Sequence, residues 1–343
     1  IYNFTDPERP LTLTLPAGSA RVFAAEVSRL VDFVRRAVPA ALSSKEYRAR
    51  HQAIVESSVD ARREHFDKLE ERAEAVGIRV EDSATNLQLL PLMPDGSEMS
   101  EEQYDGLTED ERRGIEERER SIRDDILEYL DLVKRLQDAT DDELDELDRL
   151  TITRIIEPKL DLIRESLRFP EVHAWLDDVL EDIIDTAESL LPSEEPENPI
   201  LSDALRGPRE PAERYEVNVL VDNTNATGAP VVLELNPTYA NLFGKVERRM
   251  SFGALETNHT LVRAGSFLRA NGGILIADAA ELVSHPFAYP ALKRSLREAA
   301  TSIEDPDDPA SSLSVVTLRP SPVPVRVQVV LLGTLDDYVV LRE

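Results

Sequence analysis

The spacing of apolar residues changes once along this chain, and the change limits what it can fold into. From Ser19 to Leu191 apolar side chains recur every three or four residues, the period of an amphipathic helix. Beyond Tyr215 they gather into short runs, Ile274 to Ala277 and Val325 to Leu332. Such runs read as strands of a mostly parallel sheet buried on both faces. A helix expected over Pro286 to Glu298 joins them as a βαβ unit. Tyr215 to Val221 alternates like a further strand. The first part is therefore mostly α, and the last part is α/β.

Local signals divide the helical part. Residues 1–16 read as a short strand and then an extended, Pro-bounded segment. Ser19 is a candidate N-cap for a helix to Val38, with Pro39 ending it. Ser43 and Ser44 cap a second helix to about Val76, where Gly77 stops it. Ile78 to Val80 and Leu87 to Leu92 form an expected hairpin, closed by Pro94-Asp95-Gly96. The acids after Ser100 and Thr108 suit the positive end of a helix dipole. Three long helices are expected next: one to about Leu136, one from Asp141 to Leu167, and one from Pro170 to Leu191. A heptad-like stripe (Ile115, Ile122, Ile126, Leu130 and Val133, then Leu144, Leu147, Ile155 and Leu160) points to antiparallel coiled-coil hairpins. Pro192 to Pro211 reads as an acidic linker. Residues 301–324 form an excursion with one strand, Ser314 to Leu318.

Composition excludes several functions. The net charge is −28, and phosphate backbones need a basic surface, so nucleic acid and anionic membranes are poor partners. Dense carboxylates suit either a salty cytoplasm or solvated helix faces. No apolar run reaches the ~18 residues of a membrane span. The absence of Cys removes disulfides and thiolate metal sites. No signal peptide is visible, which places the chain in the cytoplasm, and a start at Ile1 reads as a fragment.

Candidate chemistry centres on Arg263 to Leu282, R-A-G-S-F-L-R-A-N-G-G-I-L-I-A-D-A-A-E-L. Its apolar strand ends in Asp278, at the edge where parallel sheets bind ligands. A strand-end Asp holds Mg²⁺ in P-loop ATPases. Thr334, after the next strand, is either a phosphate sensor or a simple cap. No G-x-x-x-x-G-K-[ST] phosphate loop occurs, and Ala279 stands where a catalytic Glu would follow Asp278. Asn236 to Glu247 (N-P-T-Y-A-N-L-F-G-K-V-E) carries an aromatic followed by Gly. Tyr239, Leu242, Phe243 and Gly244 are either an exposed loop gripping an extended peptide or the core of a short helix. The five His residues show no paired metal spacing, and no G-x-S-x-G nucleophile elbow is present.

Together these motifs, with F-A-Y-P-A-L-K-R-S-L-R, V-R-V-Q-V-V-L-L-G and the N-terminal I-Y-N-F-T-D-P-E-R-P-L-T-L-T-L-P-A-G, resemble the Lon-like ATP-dependent proteases. The resemblance is to the branch with a divergent AAA+ module. It implies an incomplete AAA+-like core in residues 1–16 and 211–343, with residues 1–5 as a core strand. A helical coiled-coil insertion would occupy 17–210, with its small hairpin at about 77–96. Asp278 matches the Walker B position, and Thr334 falls near the sensor. The resemblance further implies ATP and Mg²⁺ in the parent protein, a hexamer, and unfolded or damaged protein as substrate. A Ser-Lys peptidase domain would lie downstream, so this chain by itself should cleave nothing. Two other readings stay open: a nucleotide-independent coiled-coil scaffold, and a DNA-remodelling AAA+ relative, which the acidity opposes.

Overall fold

A computed structural model describes residues 1–83, 86–190, 211–251, 254–304 and 318–342. The chain divides into two compact units, residues 41–151 and residues 1–40 with 152–343.

The first unit is built on two antiparallel helices. These are α2 (Lys45–Ala75), which Ser44 caps by accepting the Tyr47 N–H at 3.1 Å, and most of α4 (Glu109–Ser166); α1 (Ser19–Leu42), which precedes them, lies almost wholly in the second unit. β1 (Ile78–Ser83) and β2 (Asn86–Pro91) pair as an antiparallel hairpin. The short α3 (Glu101–Asp105) and the long α4 (Glu109–Ser166) follow. Both begin as expected. Ser100 exchanges hydrogen bonds with Gln103, and Thr108 with Glu111, which satisfies the free N–H groups of a first turn. Polar rungs join α2 to α4: Tyr47 Oη donates to Asp148 at 2.6 Å, the Ser58 and Thr140 hydroxyls hydrogen-bond at 2.8 Å, and Arg72 donates to Asp125 at 2.8 Å. At one end Leu69, Ala73, Ile122 and Tyr129 close over Ile78 and Val80 of the β-hairpin.

The two helices expected on either side of residues 137–140 are one helix of 58 residues. Gln137-Asp138-Ala139-Thr140 contains no Gly or Pro, and Thr140 satisfies its hydroxyl on the Leu136 carbonyl at 2.7 Å. A continuous helix also drifts away from a strict heptad. Leu130, assigned to the stripe, is 47% exposed, while Tyr129, Ile152 and Ile156 are buried. Pro39 does not end α1 either, because Val38 and Leu42, one turn apart across it, are both buried. Ser19 is the first residue of that helix rather than its cap.

In the second unit, α1, the end of α4 and α5 (Pro170–Asp185) pack together. Phe23 meets the Trp175 ring at 5.6 Å, Lys159 lies 5.0 Å over Phe33, and Arg164 pairs with Asp177. α5 ends at Asp185, six residues before the expected end, and a 3-10 turn covers Ala187–Leu190.

Residues 1–5 form no strand. They enter an aromatic cluster of Tyr2, Phe4, Phe23, Trp175 and Tyr215, with the Trp175 indole donating to the Tyr2 carbonyl at 3.0 Å. Nor do Tyr215 to Val221 form one. Tyr215 closes a 3-10 turn, Pro211–Tyr215, and its hydroxyl donates to Asp182 at 2.6 Å, beside an Arg214 contact at 2.8 Å. Burial pushes the Asp182 carboxyl up, while that hydrogen bond and Arg214 oppose the rise.

The remaining elements are β3 (Val231–Glu234), α6 (Tyr239–Phe243), β4 (Gly244–Val246), β5 (Arg249–Ser251), β6 (Ala254–Glu256), β7 (Val262–Ala264) and α7 (Ser266–Arg269). They continue as β8 (Ile274–Asp278), α8 (Ala279–Ser284), α9 (Ala288–Glu298), β9 (Ala300–Thr301), β10 (Val323–Pro324), β11 (Gln328–Leu332) and α10 (Leu335–Arg342). β8 is the centre of a three-stranded parallel sheet, flanked by β3 and β11. Leu275, Val232 and Val329 share one row facing the core around Phe267, Leu282 and Leu292. The opposite face was expected to be buried and is not. Leu233, Ile276 and Val330 share a row on which Leu233 is 57% and Val330 43% exposed. No described element covers this face. The strand expected at Ser314 to Leu318 and the linker at Pro192 to Pro211 lie almost wholly outside the described residues.

Candidate functional site

The site is assembled by the turn that starts β8. Asn271 donates to the Pro324 carbonyl at 3.0 Å and accepts the Arg326 N–H at 2.8 Å. Gly272 N–H donates to the Arg326 carbonyl at 2.8 Å, and Gln328 N–H to the Gly273 carbonyl at 2.9 Å. The A-N-G-G turn thereby sets the register of β8 against β11. Leu332 becomes the partner of Asp278, so Asp278-Ala279 and Gly333-Thr334 leave the same sheet edge side by side. A methyl group on Gly333 would lie 2.9 Å from the Ala279 Cβ, which shows how closely the two strand ends approach.

Asp278 is exposed and continues the row of Ile274 and Ile276 on the uncovered face. One carboxylate oxygen caps α8 by accepting the Glu281 N–H at 3.0 Å. Thr334 is exposed and caps α10 in a reciprocal box. Its N–H and hydroxyl donate to Asp337 at 2.7 and 2.8 Å, and the hydroxyl accepts the Asp337 N–H at 3.4 Å. Those bonds hold the Asp337 carboxyl below its ordinary range. Sequence reasoning passed over Asp337, although a Thr followed three residues later by an acid is a capping signature.

Asp278 and Thr334 stand side by side at the sheet edge, each with an oxygen engaged as a helix cap. Among the described residues no three His, Asp or Glu side chains gather as a metal cluster. Asp278 supplies one carboxylate, and the neighbouring Thr334 hydroxyl is engaged by its own helix.

The proposed peptide loop turns inward. Thr238 caps α6, accepting the Asn241 N–H at 3.2 Å. Leu242 and Phe243 are fully buried, and Phe243 packs on Phe267 at 5.7 Å and Tyr239 at 5.0 Å. An aromatic so placed offers no face to a bound peptide, so the short-helix reading of this motif describes the geometry. Gly244 is required by the chain path. Its φ is +100°, and a Cβ there would meet the Arg263 carbonyl at 2.1 Å. The buried Ser266 hydroxyl donates to the Asn241 carbonyl at 3.1 Å, and Arg263 pairs with Glu247 at 2.8 Å. The two motifs that stood out in the sequence are therefore the two halves of one packed junction.

A family model described as the LonB-like AAA domain matches residues 227–343, a span that contains the sheet, Asp278 and Thr334. A second, the Lon-like LonC helical domain, matches residues 1–30. The two matches, at opposite ends of the chain, support a Lon-like protease family. No curated protein matches it. Lon-family proteins form oligomers and act on protein substrates, and their AAA domain implies nucleotide binding with Mg²⁺ in the parent protein. The matched span holds the three-stranded parallel sheet, whose central strand ends at Asp278. Among the described residues no helix is long and apolar enough to cross a membrane.

Proposed function

We propose that this chain is the substrate-handling and ATPase-like region of a Lon-type ATP-dependent serine protease. Its paired helices capture unfolded or damaged protein. Its AAA core, assembled as a homo-oligomeric ring, passes that protein to a Ser-Lys peptidase domain outside residues 1–343. The observation that carries the reading is the LonB-like AAA match lying over the sheet whose central strand ends at Asp278. The exposed row of Leu233 and Val330 supports assembly with further polypeptide, since parallel sheets are ordinarily covered on both faces. Asp278 and Thr334 mark the nucleotide edge, and the chain alone neither hydrolyses ATP nor cleaves peptide. Phosphate release from Mg-ATP should match the background of an Asp278→Ala variant. Turnover that this variant abolishes would overturn the claim. Capture is tested by anisotropy of labelled, unfolded casein, which should bind the full chain.

A second reading, a nucleotide-independent scaffold, is favoured by one observation: Asp278 and Thr334 both cap helices. Calorimetric titration with Mg-ATP of a longer protein carrying the upstream sequence separates the two. Heat of binding supports the first reading, and its absence supports the second.

A further inference from the structure

The A-N-G-G turn that sets the register of β8 is also a place where the chain can react with itself. Asn271-Gly272 is the one Asn–Gly pair in the sequence. Asparagine is among the thermolabile residues, and a following glycine has no Cβ to shield its nitrogen from the carboxamide. Around this pair the structure is open. Gly272 is exposed at a φ of +82°, and a Cβ built on it meets no atom within 4 Å. Water can reach the pair, and ammonia can leave it.

Asn271 itself is half-buried, and the groups that would react are all engaged by one strap. Its Nδ2, the leaving group, donates to the Pro324 carbonyl at 3.0 Å. Its Oδ1 accepts the Arg326 N–H at 2.8 Å. The Gly272 N–H, the nucleophile, donates to the Arg326 carbonyl at 2.8 Å. The strap, Pro324 to Arg326, links β10 to β11, and its anchors are few. β10 pairs two residues with β9, the Val325 N–H donates to the Ala299 carbonyl at 2.9 Å, and the Val325 side chain is buried. One movement of one short segment therefore releases nucleophile and leaving group together.

We propose that Asn271 is a modification site, a latent succinimide whose closure is gated by the Pro324–Arg326 strap. With the strap released, the Gly272 nitrogen attacks Asn271 Cγ, and its proton passes through water to the departing Nδ2. The Cγ–Nδ2 bond breaks, and ammonia leaves. Water then opens the ring at either carbonyl, giving aspartate or isoaspartate with no oxidant or reductant consumed. Either product loosens the turn that formed it. Aspartate sets an oxygen without a proton against the Pro324 carbonyl, where a donor stood. Isoaspartate adds a methylene to the main chain ahead of Gly272, which displaces the Gly272 and Gly273 groups that pair with Arg326 and Gln328. The change marks chains in which β8 and β11 have parted. The inference does not depend on the nucleotide reading, because it uses neither Asp278 nor Thr334.

The test compares the full 343-residue chain with a synthetic peptide of residues 266–278, incubated side by side in mildly alkaline buffer. Peptide mapping by mass spectrometry, with fragmentation that separates isoaspartate from aspartate, reads position 271. The peptide should lose ammonia there, and the folded chain should do so at least about tenfold more slowly, because local opening must come first. Urea kept well below the unfolding midpoint should raise the rate in the folded chain. In an Asn271→Asp variant, amide exchange at Gly272 and Gln328 should be faster by about tenfold or more, with the amides of α9 unchanged. Equal rates in peptide and folded chain, or no reaction in the peptide, would overturn the proposal. So would a rate that rises only with global unfolding, or a variant whose exchange at Gly272 and Gln328 stays as in the wild type. The rate series uses the native sequence and decides the matter even where the variant does not fold.

Discussion

His259 is 5% exposed, with its Nε2–H donating to the Glu216 carbonyl at 2.7 Å and its ring edge-on to Tyr2 at 5.8 Å. Burial lowers its pKa from 6.5 to about 4, against the pull of the Glu216 bond. The folded state therefore holds it neutral where the unfolded chain would bind a proton. Its contribution, about 3 kcal/mol, is present above pH 6.5 and is lost as pH falls toward 4. Asp182, raised by burial, acts in the opposite sense. Urea unfolding across that window should show a flatter acid limb in His259→Gln than in the wild type. At the far end of α9, Ala299 sits at φ +52°, a left-handed position that glycine adopts freely. Ala299→Gly should raise the unfolding free energy by about 1 kcal/mol, read from the urea midpoint. The residue scale was the least legible in the sequence. Asp278 and Thr334 were located correctly on adjoining strand ends, yet their oxygens are engaged as helix caps. Phe243 has the pattern of an exposed aromatic-Gly loop, and only its packing on Phe267 shows that it points inward.

Elements were read more successfully, and the failures share a cause. Local chemistry announced the cap at Ser44, the helix starts after Ser100 and Thr108, the hairpin at Ile78 and the strand at Ile274. It did not announce that α4 would run unbroken, because the decision rests with tertiary contacts such as Thr140 to Ser58. β3 went unrecognised, since a four-residue strand with two exposed positions carries little periodic signal. Its place is fixed by pairing with β8 rather than by its own composition. The β-hairpin is expected to hold the end of the paired helices. Ile78, fully buried against Leu69 and Ile122, should cost about 2–4 kcal/mol when changed to Ala. Amide exchange in the same variant should accelerate within residues 66–80 before it does in β8.

Across the whole molecule, charge is the property that composition predicts without help from the fold. A net charge of −28 places the folded chain under self-repulsion. Raising salt from 0.01 to 1 M shortens the screening length from about 30 to about 3 Å. The melting temperature should therefore rise along that series in sodium chloride, and a fall would mean that ion pairs such as Arg164 with Glu157 outweigh the repulsion. The same scale frames what became of the sheet edge. Ala279 is 2% exposed, and its methyl group fills the space that a glycine at 333 leaves open. A Glu at 279 would require Gly333 and the turn into α10 to move together, so the edge as built admits only a small side chain where the two strand ends meet.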